Sequence, residues 1–378
     1  MTKLAIVGAG FVADLYMTSL RLYPDLEVVA VHDIDTARRD AFCNHWGLPP
    51  AESLDALLAA TGPEDIVLNL TNPHAHYSVS RACLEAGRHV YSEKPLATTL
   101  DAAQALVGLA AQKGRLITAA PCSGLGEAAQ TLWAAIREGK AGTPRLVYAE
   151  LDDGFIPQAP YAKWISASGA PWPAEDEFRV GCTVEHAGYY LAWLLPIFGP
   201  VRTVVAASAT LAEKEIPAED SAPDVSIGTL FFHSGVVARL TCSILAPHDH
   251  ALTVVGDEGV LTLDECWNNT APVKLRRRFI LRRRLMMSPL PRRLRLTARD
   301  THRKVGRTGA ATMNFALGPV EMRDALTENR PCRLTPDLAL HITEVTLALH
   351  SAGEHTGATP MTTTFAPVTP MPWAERLA

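Results

Sequence analysis

The chain has 378 residues, 48% of them hydrophobic and 20% charged, and a formal net charge of −5. That length buries a full core without staples and suits two domains, which excludes disorder, collagen-like structure and a disulfide-stapled miniprotein. No apolar run reaches the ~20 residues of a membrane span, and the first ten residues lack a signal-peptide layout. Seven scattered cysteines with no CxxC pair read as free thiols of a reducing cytoplasm.

Residues 1–122 alternate short apolar runs with helical patterns, as βαβ units do. Strands are expected at Leu4–Val7, Val28–Val31, Ile66–Leu70, His89–Ser92 and Leu116–Ala119, with helices near 11–22, 36–46, 52–60, 75–86 and 99–113. The runs lack polar alternation, which suits a parallel sheet covered on both faces. From 123 to 378 the pattern becomes α+β. A helix near 126–139 precedes β runs at Arg145–Glu150, Val201–Ser208, Val225–Phe232, Val236–Ile244, Ala251–Gly256 and Val260–Leu263. Turns at His233-Ser234-Gly235 and Asp257-Glu258-Gly259 favour a large, mainly antiparallel sheet. Helices are expected near 182–197, 314–328 and 336–352, and the Pro-rich tail from Pro360 should lie extended on the body.

The first strand runs into Gly8-Ala9-Gly10-Phe11-Val12-Ala13, a G-x-G-x-x-A turn opening a helix. Gly8 allows the tight turn and Gly10 lets backbone approach a pyrophosphate. The helix N-terminus, with the N–H groups around Phe11 and Val12, offers partial positive charge. Asp33 follows 25 residues after Gly8, at the end of the second strand. An acid there accepts hydrogen bonds from ribose hydroxyls and repels a 2′-phosphate, so NAD is expected over NADP. Asp35 is the alternative ribose ligand, and Arg38 and Arg39 are the residues that would restore NADP binding.

Thr71-Asn72-Pro73-His74-Ala75-His76 and Ser92-Glu93-Lys94-Pro95-Leu96, in this order after the glycine turn, resemble the Gfo/Idh/MocA family of sugar dehydrogenases and reductases. The resemblance implies a Rossmann domain followed by an α/β domain whose open sheet faces the nicotinamide. Thr71, Asn72, Pro73, His76 and Glu93 are then cofactor-side residues, and Lys94 sits at the reacting hydroxyl or carbonyl. The Glu93–Lys94 peptide before Pro95 is expected to be cis. A partly buried lysine beside a cationic nicotinamide should have a lowered pKa suited to proton transfer. The family's Asp-x-x-x-His pair aligns with Glu185 and Tyr189 here, four residues apart on one helical face. Tyr189 is the expected acid/base, its pKa held down by Lys94, with Glu185 orienting the lysine or substrate. His186, about 100° further round the helix, is the alternative.

The run after the fifth strand, Ala119-Ala120-Pro121-Cys122-Ser123-Gly124, has small residues where relatives carry large polar ones, which implies a reshaped pocket. Cys122 reads as packing or cofactor contact. His76 either approaches the nicotinamide or caps its helix. The stretch Glu150-Leu151-Asp152-Asp153-Gly154 and the pair Lys163-Trp164 are candidate hydroxyl binders, or a solvated loop. In His248-Asp249-His250 only the two histidines share a strand face. No metal is expected, because the family's hydride chemistry needs none.

Lys274 to Arg307 holds 14 Lys/Arg against one acid, Asp300, on a chain that is otherwise acidic. Its apolar interleaving suits an arm on a neighbouring subunit, a loop over an acidic substrate, or docking to anionic membrane or glycan machinery. Nucleic acid ranks last, since no recognition fold accompanies the charge. The reading that results is a cytoplasmic NAD-dependent oxidoreductase acting on a polyol or keto-sugar, and a homo-oligomer through its second-domain sheet. The alternative is a cofactor-binding regulator or scaffold that docks an anionic partner through residues 274–307.

Overall fold

The computed structural model describes residues 2–306, 312–355 and 357–378. Arg307, the last residue of the basic stretch, lies outside them.

The first 120 residues form a parallel sheet of β1 (Thr2–Val7), β2 (Leu26–His32), β3 (Ile66–Asn69), β4 (His89–Ser92) and β5 (Ile117–Ala119). The spatial order is β2-β1-β3-β4-β5, so strand order reverses between β1 and β3. An open parallel sheet binds ligands at such a reversal, beyond the strand C-termini. Helices α1 (Phe11–Leu20), α2 (Thr36–Trp46), α3 (Leu54–Ala59), α4 (His76–Glu85) and α5 (Leu100–Lys113) make the crossovers. Their starts obey capping chemistry: Asp35, Ser53 and Thr99 each accept a backbone N–H of the first turn of α2, α3 and α5.

Next come α6 (Glu127–Arg137), β6 (Pro144–Phe155), α7 (Ala174–Val180), α8 (Cys182–Phe198), β7 (Val201–Ala209), β8 (Val225–Phe232), β9 (Val237–Ser243), β10 (Leu245–Asp249), β11 (Leu252–Gly256) and β12 (Gly259–Leu263). After them lie β13 (Lys274–Leu281), β14 (Arg284–Met287), β15 (Arg292–Arg293), α9 (Leu317–Thr327), α10 (Pro336–His350) and β16 (Ala358–Pro360). The second sheet runs β14-β13-β12-β11-β6-β9-β8-β7-β16, with β10 added to β6 and β15 to β13. It is antiparallel except at β6–β9. One face is packed: Val147, Ala149 and Leu151 of β6 sit in a core with α6, α8 and α10. On the other face Leu146, Tyr148, Val205 and Ile227 are exposed.

Several features differ from expectation. The cis bond is Lys94–Pro95, one bond after the expected Glu93–Lys94, where proline's tertiary amide makes the cis form accessible. The first part of the basic stretch, 274–287, is a β13–β14 hairpin continuing the sheet edge, where Phe279 and Ile280 supply strand-forming side chains. Residues 313–334 return to the first sheet, where Met313, Phe315, Leu317 and Met322 join the cluster built on Leu4, Ile6 and Tyr16. The tail after Pro360 lies against the body, as expected, with Phe365, Ala374 and Leu377 buried.

Candidate active site

A cavity of about 560 Å³ opens at the β1/β3 reversal and runs between the two sheets. Of the first-choice cofactor and catalytic residues, only His76 does not line it; nor do the alternatives Asp35 and Arg39, or Cys122.

At one end stands the glycine turn. Gly8 has φ +97°, and a Cβ there would lie 2.6 Å from the Leu70 carbonyl carbon and oxygen. A Cβ on Gly10 would meet nothing within 4 Å. No side chain caps α1 at Gly10, so its first N–H groups are free for an anion. These features fit a dinucleotide pyrophosphate. Asp33, buried just past β2, accepts the Ala9 N–H (2.8 Å) and the Asp35 N–H (2.8 Å). It also takes both Nε (3.1 Å) and Nη2 (2.8 Å) of Arg38. Burial alone would raise its pKa, but the Arg38 fork and the two N–H donors outweigh burial and lower it. Asp35, the alternative ribose ligand, is engaged as the cap of α2. Arg39 turns away, to the Ala51 carbonyl, Glu52 and Asp40.

In the middle lies the proton-handling group. Lys94 Nζ is paired with the Glu185 carboxylate, and both are largely buried. Burial disfavours the lysine cation, yet Glu185, followed by Tyr189, Glu177 and Glu93, overrides it and the pKa is raised. The expected depression is therefore reversed: α8 brings a carboxylate against the ammonium, and a paired cation is the favoured form. Tyr189, one turn on from Glu185, lines the same cavity and stacks edge-on against Trp267 at 5.7 Å. Burial raises its pKa; Lys94 pulls the other way without prevailing. The expected lowering of Tyr189 is thus present as one contribution and reversed in the sum.

Glu93 accepts the Tyr16 hydroxyl (2.7 Å) and the Lys94 N–H (3.2 Å), and burial raises its pKa. His76, fully buried at the start of α4, places Nδ1 2.7 Å from the Pro95 carbonyl and Nε2 3.0 Å from that of Thr71. It ties the Thr71 loop to the segment carrying Lys94. Asn72 caps the turn Pro73–Ala75. Cys122 is buried with its thiol pushed up to about 11 by desolvation, and its Sγ contacts the Asn314 and Phe315 carbonyls.

At the far end Asp153, His186 and Trp164 line the cavity, whereas Glu150, Asp152 and Lys163 do not. Glu150 instead pairs with Arg239. His186 Nε2 lies 3.4 Å from Asp153 Oδ2. Trp267, Glu177 and Phe315 line the cavity without having been expected to. No local motif marks them, since each arrives from a distant element. Burial and the Glu185 charge raise the pKa of Glu177.

Residues 2–120 match the family model described as "Oxidoreductase family, NAD-binding Rossmann fold", and residues 129–262 match "GFO/IDH/MocA C-terminal domain". The chain belongs to the Gfo/Idh/MocA family. It is 26% identical over 268 residues to trans-1,2-dihydrobenzene-1,2-diol dehydrogenase of Bos taurus, covering 70% of this chain and 75% of that one. It is 27% identical over 271 residues to D-apiose dehydrogenase of Paraburkholderia graminis, covering 69% and 67%. The WlbA dehydrogenase of Bordetella pertussis, solved in complex with NADH and UDP-GlcNAcA, superimposes with a TM-score of 0.70 at 18% identity. That match covers 96% of this chain and 98% of the other, and shows a shared fold. This Gfo/Idh/MocA member is an NAD(P)-binding oxidoreductase. Among its described residues no helix is long and apolar enough to cross a membrane.

Proposed function

We propose that the protein interconverts a hydroxyl and a ketone on a sugar, cyclitol or activated sugar, with NAD preferred over NADP. The observation that carries this reading is the Lys94–Glu185 pair and Tyr189 on one cavity with the glycine turn. The nicotinamide, when bound, gives or takes the hydride. In the reducing direction the Tyr189 hydroxyl donates the proton to the substrate oxygen, and in the oxidising direction its phenolate accepts it. Lys94, held cationic by Glu185, stabilises negative charge on the substrate oxygen and on the tyrosine. Tyr189 is preferred to His186 because His186 is directed to Asp153.

Asp33 supports NAD: it is buried and lines the cavity beside the glycine turn, and Arg39 is committed elsewhere. Arg38 is the one predicted phosphate ligand still facing the cavity, and it is engaged by Asp33. The test is a thermal-shift titration with NADH and NADPH on wild type and Asp33→Ala. Ligand at ~100 times its dissociation constant adds about 2.7 kcal/mol. NADH should stabilise wild type more than NADPH, and Asp33→Ala should erase the difference. No shift with either nucleotide overturns the reading.

The same proposal includes a homo-oligomer joined through the open sheet face, supported by the exposed Leu146, Tyr148, Val205 and Ile227. It also places the protein in the cytoplasm, supported by seven buried free thiols.

A further inference from the structure

We infer that Asp153, His248 and His250 form a binding site for one divalent transition-metal ion of the zinc class, in the wall of the cavity. The three come together because β10 is added to the end of β6. Asp152 stands opposite Asp249, which brings Asp153 beside the two histidines. His248 and His250, two residues apart, share a side of the chain, with ring centroids 4.0 Å apart.

Asp153 Oδ1 lies 3.7 Å from His248 Nδ1 and 4.0 Å from His250 Nε2. All three ligand atoms lie within 4.8 Å of one another. Tetrahedral zinc with bonds of about 2.0–2.2 Å sets its ligand atoms roughly 3.4 Å apart, so the two Asp153–histidine edges need to shorten by only about 0.3–0.6 Å, with the histidine rings turning to close the third edge.

Hydrogen bonding around the triangle leaves lone pairs inside it. Glu265 takes His250 Nδ1 on Oε1 (2.9 Å) and His248 Nε2 on Oε2 (3.1 Å). A carboxylate only accepts, so each imidazole turns an N–H to Glu265 and its other nitrogen to Asp153. This is the arrangement in which an outer carboxylate fixes the tautomer of a metal-binding histidine. His250 is fully buried and its Nε2 has no hydrogen-bond partner. In the neutral imidazoles the two nitrogens facing Asp153 are free to bind, and a cation between them and the carboxylate oxygen would be held by all three. His186 holds the other oxygen of Asp153 from the far side. Two imidazoles and one carboxylate suit zinc better than magnesium or calcium, which prefer all-oxygen sites. Asp153 and Trp267 line the cavity, so an ion there stands beside the substrate end. The geometry thus assigns a metal where the family's chemistry alone led us to expect none.

The experiment is metal titration of the full-length protein after chelator treatment, with Zn²⁺ followed by competition dye and Co²⁺ by its visible absorption. One equivalent should bind. Glu265→Gln should weaken binding roughly 10–100-fold, and His248→Ala, His250→Ala and Asp153→Asn should weaken it further still. His248 is half exposed, so its variant should fold even where His250→Ala does not; circular dichroism and melting temperature check each. Failure of wild type to bind a stoichiometric ion, or binding unchanged in His248→Ala, overturns the assignment. Neither outcome depends on nucleotide or turnover, so the oxidoreductase reading is tested separately.

Discussion

Lys94 and Glu185 stand 91 residues apart in the chain and form one buried ion pair across the two halves of the protein. One partner follows β4 of the first sheet; the other lies in the first turn of α8. Removing one member of a buried pair is far more damaging than the net worth of the pair, because the other charge stays behind in a poor solvent for it. In Glu185→Gln the Lys94 ammonium loses the largest influence keeping it protonated. The alkaline limb of the kcat/KM profile should move to lower pH, measured across a full pH series with saturating cofactor. An unmoved limb means that Lys94 does not titrate in the active range.

Tyr189→Phe removes the hydroxyl and keeps the ring against Trp267. Turnover should fall by about 10²–10⁴, the usual contribution of a positioned acid/base, while nucleotide affinity stays unchanged. Lys94→Ala should show a comparable loss. Retained turnover in Tyr189→Phe with loss in His186→Ala would transfer the proton step to the histidine.

Gly8 and Gly10 separate backbone strain from phosphate approach. Gly8→Ala places a Cβ against the Leu70 carbonyl at a positive φ, so it should lower stability by at least 1–2 kcal/mol even without ligand. Gly10→Ala has open space around its Cβ. It should melt like wild type yet bind NADH more weakly. Equal melting temperatures for the two variants would contradict the geometry.

Asp14 of α1 fastens the segment that roofs the cavity. It accepts the Ser168 hydroxyl (2.7 Å) and the Trp46 indole N–H (2.6 Å), while Trp164 and Trp172 from the same segment line the cavity. Hydrogen bonds to a charged group are worth about 1.5–3 kcal/mol. Ser168→Ala should therefore speed nucleotide release by roughly tenfold or more in stopped-flow, since 1.4 kcal/mol is a factor of 10. An unchanged release rate shows that the segment does not gate exit.

His89 and His341 set an acid limit to stability. Each accepts a backbone N–H through a ring lone pair, from Leu116 (2.9 Å) and Val201 (3.0 Å) respectively. Burial, aided at His89 by the Arg115 cation, pushes each pKa down to about 4. The folded protein thus binds fewer protons here than the unfolded chain, whose histidines titrate near 6.5. The stabilisation is complete above about pH 6.5. It declines at up to about 1.4 kcal/mol per pH unit for each histidine as pH falls to 4. Urea midpoints across this range should drop, and His341→Gln should flatten the slope.

Local chemistry explains which parts were readable in the sequence. The glycine turn, Asp33 and Lys94 are marked by neighbours within a few residues, and they line one cavity. Glu185 and Tyr189 were legible through the family resemblance, which aligns them with its Asp-x-x-x-His pair, but their proton affinities were not. Those depend on Lys94 arriving from another sheet and on the burial that the two halves create together. Trp267 and Glu177 carried no signal, because what makes them part of the site is the packing of a distant turn and a short helix. The histidine pair was legible as two residues on one face. Its setting was not, since Asp153 comes from β6 and Glu265 from the loop after β12.

The β13–β14 hairpin ends the second sheet with a row of backbone donors and acceptors that no further described strand pairs, and with Ile280 and Leu285 mostly exposed. Such an edge is a template for strand-to-strand stacking between molecules. Arg276–Arg278 lie on β13, Arg282 and Arg283 in the hairpin turn and Arg284 at the start of β14, so two hairpins that approach bring guanidinium against guanidinium. The arginines act as a guard on the edge, and the guard is only as long as the Debye length: about 8 Å in physiological salt and about 3 Å at 1 M. High ionic strength, usually a friend of protein solubility when charges attract, should here strip the protection and let the molecules stick.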